Sequence, residues 1–304
     1  MKYCLTAFAC LAAFAQSTTT NSVNGATATT VVSSDHTQTE MTQSIDGRQV
    51  PIEQTETRVL SKTANGSVTE TVVRRYNRSG QLTSTERTVT DLQNRPGGST
   101  SKSTTSLTDL NGSVRETERK VVESETQGET TNTQTVVDRP SVDGSFQTVE
   151  KRSAVIENKP DSSHQDETVY RRNGTGGFDV AERKIADTTR AGNKTTETTA
   201  LYQPINNFSQ LQLSRHQVST TVAQPDGSET RQVDYYLPSL PGVARTGAGS
   251  QTLWEQDTVQ RTKKSDGAVV ETVTARRADA NRPNQLGPAE TVSETVCRGN
   301  CSGK

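Results

Sequence analysis

The sequence predicts an all-β chain: a long antiparallel β-meander of repeated hairpins, curled or coiled into one sheet, with few or no helices after a signal peptide. Three observations predict it. Glycine, usually behind Asn or Asp, returns at intervals of roughly 14 to 20 residues, and Asn-Gly and Asp-Gly supply the positive-φ residues a tight hairpin needs. The segments between are rich in Thr and Val, which favour strands. Charges alternate in sign along those segments rather than running in blocks, as cross-strand pairing would require.

Composition bounds what such a sheet can be. Of 304 residues only 29% are hydrophobic and 4% aromatic, so the chain can line only a thin core. The 34 basic and 35 acidic residues leave a net charge of −1, which gives no steering field toward nucleic acid. Low hydropathy also suits a disordered chain. Regular turn spacing, near-zero net charge and abundant strand-forming residues favour the folded reading.

Met1-Lys2, the apolar run Leu5 to Phe14 and the small residues Ala13 and Ala15 read as a signal peptide over 1–15. An exported chain is therefore expected, periplasmic, at the cell surface or extracellular. Residues 16–44, rich in Thr and Ser, read as a flexible spacer. The β-repeat region is expected over 45–296. Its turn glycines include Gly47, Gly66, Gly80, Gly112, Gly144, Gly227 and Gly267. After several of them an apolar residue follows at the second position, as at Val68, Leu82, Val114, Phe146, Phe178 and Val269. A glutamate stands two or four positions further on, so each segment carries a face that is apolar near the turn and charged toward its middle.

A loop-rich interruption is expected at 235–250, where two prolines and an apolar cluster break the pattern. Tyr235, Tyr236 and Leu240, with Trp254 just beyond, form either a binding loop or a plug on an exposed sheet end. The tail 297–304 holds Cys297 and Cys301, expected to form one disulfide in an exported protein.

One stretch carries a resemblance. Tyr76-Asn77-Arg78-Ser79-Gly80-Gln81-Leu82-Thr83 resembles a YD-repeat of the RHS type, with Asn77 in place of the usual aspartate. It covers these eight residues in one copy. Proteins of that family build long sheets that coil into shells, which implies an architecture and no activity.

No catalytic, cofactor or metal residue is expected. His36, His164 and His216 lie far apart without metal-type spacing, and no hydrolase, zincin, phosphate-loop or EF-hand pattern occurs. Asn-x-Ser/Thr sequons fall in turns of a Thr-rich chain and are not expected to carry glycans. An outer-membrane barrel is rejected at this stage, because a segment such as Arg115-Glu116-Thr117-Glu118-Arg119-Lys120 would place charge in lipid. No transmembrane segment is expected after signal removal. The expectation is an exported, non-enzymatic β-repeat protein with a structural or binding role, meeting protein, glycan or extracellular matrix. The alternatives are a repeat-built shell or carrier for another polypeptide, and a hydrolase or inhibitor using 235–254.

Overall fold

The computed structural model describes residues 16–22, 26–204, 210–238, 251–264, 267–279 and 282–298. Among them every element is a strand, and all pairings are antiparallel between neighbours. In chain order these are β1 (Gln16–Ser22), β2 (Ala26–Val32), β3 (His36–Ile45), β4 (Arg48–Thr63), β5 (Gly66–Tyr76), β6 (Leu82–Arg95), β7 (Gly98–Thr108), β8 (Val114–Gln127) and β9 (Thr130–Pro140). There follow β10 (Phe146–Asn158), β11 (Ser162–Arg172), β12 (Phe178–Ala191), β13 (Lys194–Pro204), β14 (Leu211–Ala223), β15 (Glu229–Pro238), β16 (Gln251–Lys263), β17 (Val269–Asp279), the short β18 (Arg282–Leu286) and β19 (Glu290–Arg298).

The ladder returns on itself. β1 pairs with β2 on one side and with β19 on the other, with Thr19 opposite Val296. β19 in turn pairs with β17, and β18 is a side branch on β17. The curled sheet expected from the sequence is therefore a ring of strands with its first and last members joined. Residues 16–44 are corrected with it. The expected spacer contributes β1, β2 and most of β3. Threonine needs no apolar partner to enter a ladder, because the backbone bonds and neighbouring hydroxyls hold it, as in the 2.9 Å Thr30–Thr39 bond.

The turns alternate between two rims. One rim, called here the first, carries 46–47, 77–81, 109–113, 141–145 and 173–177; the other, or second, carries 33–35, 64–65, 96–97, 128–129, 159–161, 192–193 and 224–228. The first rim repeats one turn four times. Gly80, Gly112, Gly144 and Gly176 follow at intervals of 32 residues, each at φ between 76 and 85°. In each, the glycine amide bonds back to the carbonyl three residues earlier, as Gly80 does to Asn77 at 2.9 Å. That is a type I turn closed by a left-handed residue, which glycine adopts without strain. Asn77 and Asp109 also accept two backbone amides each through Oδ1, all at 2.9 Å. Gly47, Gly227 and Gly267 have positive φ as well. Gly66 differs from its expected role. It opens β5, where a Cβ would lie 2.2 Å from the Leu92 carbonyl oxygen, so what it supplies is close approach of two backbones.

The wall is one layer thick. Among the described residues, six apolar and three polar side chains are buried, and none is below 2% exposure. The chain exposes 20334 Å², against about 12,500 Å² for a compact monomer of this length.

Candidate functional site

Alternation along each strand gives the ring two faces, which can be followed from strand to strand although bulges interrupt ladders such as β5–β6 and β7–β8. On one face Thr37, Thr57, Thr71, Thr88 and Thr105 stand directly opposite one another across β3 to β7. Thr57 bonds Thr71, and Thr88 bonds Thr105, each at 2.9 Å. Further round, the same face carries Arg152 between Glu150 and Glu167, at 2.7 and 3.6 Å. Most of the buried strand residues lie on it, among them Thr135, Val137, Val169, Ser219 and Val233.

The other face is built on ion pairs. Glu70, 3% exposed, lies between Arg58 and Arg87, each 2.6 Å away. Glu56 bridges Arg74 and His36 at 3.3 and 3.2 Å, and Asp166 pairs with Arg183 at 2.6 Å. The histidines remain apart. His164 bonds Asp187 at 2.7 Å, while His216 bonds Gln251 and packs its ring 5.6 Å from that of Tyr236. Among the described residues no His, Cys, Asp and Glu cluster could hold a metal.

The expected binding loop is not one group. Tyr235 and Tyr236 are consecutive residues of β15 and so face opposite sides of the wall. Trp254 lies in β16 at a register shift opposite them, 51% exposed. Leu240 lies outside the described residues. Cys297 stands on β19 opposite Val269 and Thr18, and Cys301 is outside the described residues, so the expected disulfide falls beyond them.

A grouping that the sequence reading missed appears at the first rim. Tyr76, Phe146, Tyr170, Phe178, Tyr202, Tyr235, Tyr236 and Trp254 are all the aromatics among the described residues bar the histidines, and each sits within a few residues of the first-rim end of its strand. Phe146 and Phe178 open their strands, with the Arg119 guanidinium 4.0 Å above one ring and the Lys151 ammonium 4.5 Å above the other. The signal was present in the apolar residue two places after each glycine. It did not show that Leu82, Val114, Phe146 and Phe178 share a rim while Val68 and Val269 lie at the other.

No protein-family model matches the chain, and no curated protein matches it. Solved structures resemble it at low identity. OmpT of Vibrio cholerae, an outer membrane protein in trimer form, is 9% identical over 93% of this chain and 95% of that one, with a TM-score of 0.43. OccK7 (OpdD) of Pseudomonas aeruginosa is 8% identical over 94% and 96%, at 0.39. A porin-like protein from Bacteroides uniformis is 13% identical over 80% and 95%, at 0.21.

Two expectations are corrected here. The exported β-repeat protein with a structural or binding role, meeting protein, glycan or extracellular matrix, is withdrawn together with its carrier and 235–254 alternatives. The β1–β19 ladder leaves no free edge at the seam, so the strands form a closed ring and not an open ribbon. The expectation that no segment crosses a membrane is withdrawn as well. Among the described residues no helix is long and apolar enough to cross, but a closed ring of strands crosses without one.

Proposed function

We propose that the ring is a hollow β-barrel whose interior is a water-filled passage for hydrophilic solutes, in an exported chain without enzymatic activity. The observation that carries this reading is the closed ladder around a wall one layer thick. Two stacked sheets would bury dozens of side chains between them, and among the described residues nine are buried. Eighteen strands in a ring, tilted as in other barrels, enclose a backbone cylinder about 35 Å across. Barrels of this strand number leave an aqueous channel rather than a filled core.

The lining supports passage of polar solutes whichever face turns inward. Threonine hydroxyls and paired charges can replace a solute's water of hydration without a strong net field. Alternating Arg and Glu keep the wall close to neutral, in line with the net charge of −1.

Current across a planar lipid bilayer tests the proposal. Folded chain should give discrete conductance steps. Thr71 and Val72 are neighbours on opposite faces of β5, so Thr71→Lys and Val72→Lys should differ. The substitution lining the passage shifts ion preference toward anions, and the other leaves it unchanged. Folded chain that leaves the bilayer sealed overturns the proposal.

A further inference from the structure

The two rims of the ring differ in chemistry. At the second rim, the turns present Asn65, Gly97, Glu129, Lys159, Asp161 and Asn193, with Ala64, Pro96, Pro160 and Pro225 beside them and no larger aliphatic residue. At the first rim, the homologous tip positions are Arg78, Leu110, Val142 and Gly174, and of these Leu110 is 73% and Val142 110% exposed. Leu82 and Val114 stand just behind such tips, 44 and 67% exposed, and Trp254 is 51% exposed on β16. The remaining exposed aliphatics, Val31, Val59, Leu60 and Val155, lie on strands toward the second rim, 37 to 46% exposed and behind turns without an aliphatic tip. Apolar tips, a tier of aromatics behind them and cations at that level are the order of groups met on passing from a bilayer's acyl chains out to water.

We infer that the first rim seats in the headgroup region of a lipid membrane. Leu110 and Val142 enter the acyl boundary. Tyr76, Tyr170, Tyr202 and Tyr236 lie at the level where an aromatic body is apolar and its hydroxyl is wet. Lys151, held over the Phe178 ring, meets lipid phosphates from the same level, while Arg119, over the Phe146 ring, is held by the Glu116 carboxylate. The same cation contacts disfavour a glycan as occupant, since a sugar would need the ring faces that Arg119 and Lys151 cover. This inference does not rest on the passage. A barrel can seat by one rim without conducting.

Trp254 is the single tryptophan of the chain and lies beside this rim, so it reports on seating. Folded chain is titrated with phosphatidylcholine–phosphatidylglycerol vesicles while Trp254 emission and flotation are followed. A blue shift on binding is expected, with quenching by lipids brominated high on the acyl chain. The double variant Leu110→Asp, Val142→Asp should weaken binding about tenfold or more, whereas Leu60→Asp, on β4 near the second rim, should leave it unchanged. If a far-UV spectrum shows that the double variant has not folded, the depth profile of quenching in the native chain decides. Emission that does not respond to vesicles, quenching that is absent at every depth, or equal loss from Leu60→Asp overturns the inference. A shift produced by soluble oligosaccharide and not by vesicles overturns it in favour of a glycan. Conductance steps without a Trp254 response, or the reverse, separate this inference from the passage.

Discussion

Glu70 lies directly opposite Arg58 across β4 and β5, and its carboxylate accepts the Arg58 Nε–H at 2.6 Å while its other oxygen accepts that of Arg87 at 2.6 Å. The glutamate side chain is 4% exposed and the two arginines more than half exposed, so two wet cations cover one buried anion. Glu70→Ala should lower the stability of the folded chain by about 1–3 kcal/mol, a range that allows for solvent screening of the arginines. Glu70→Gln, which keeps one acceptor, should cost less. Urea unfolding of the two variants checks the order, and equal midpoints would contradict it.

The glycines fall into two groups with different sensitivities. Gly112 has φ +80 and open space around its missing side chain, so Gly112→Ala costs about 1 kcal/mol of backbone strain. Gly98 lies where a Cβ would stand 2.2 Å from the Ser124 carbonyl oxygen, so Gly98→Ala must push two strands apart. Its cost should be larger, toward about 3 kcal/mol. Thermal midpoints of the pair measure the difference.

Acid acts at a first-rim turn. The Ser141 hydroxyl, then the Ser145 hydroxyl and amide, donate to the Asp143 carboxylate and hold its pKa down to about 2. Asp226 is lowered in the same way by Ser228. A depressed carboxylate contributes in full above its unfolded value, and the contribution fades as pH falls through the folded one. The 141–145 turn should therefore stay ordered at pH 4 and loosen near pH 2. Exchange of the Ser145 amide against pH checks this, and loosening already at pH 4 would contradict it.

The seam between β1 and β19 should open independently of the rest. Thr19→Pro removes a backbone donor in the strand opposite Val296. Amides of 293–298 should exchange faster, while those of β5 to β8, enclosed by neighbours on both sides, keep their protection. Unchanged exchange in β19 would show that the ring does not depend on this ladder.

Much of the fold was legible because turns are local. Asn77, Asp109 and Asn173 cap their own turns, and Gly80, Gly112, Gly144 and Gly176 satisfy a backbone requirement set within five residues. Those residues announce where strands end, whatever the strands later do. The candidate site was legible only in part. Phe146 and Phe178 could be seen to follow turns, but Tyr235, Tyr236 and Trp254 were read as a loop of their own because β15 and β16 were not recognised as ordinary members of the series.

By itself the sequence determined that the chain is all-β, where most of its hairpins turn and that its segments alternate in chemistry, since each follows from residues adjacent along the chain. Tertiary structure alone decided that the ends meet. The seam pairs Ser17 with Arg298 through backbone groups that every residue carries, so no side chain marks it in advance. It also decided that aromatics spread from Tyr76 to Trp254 occupy one rim, because an antiparallel meander sends every second turn to the same end and only the finished ring brings those ends level.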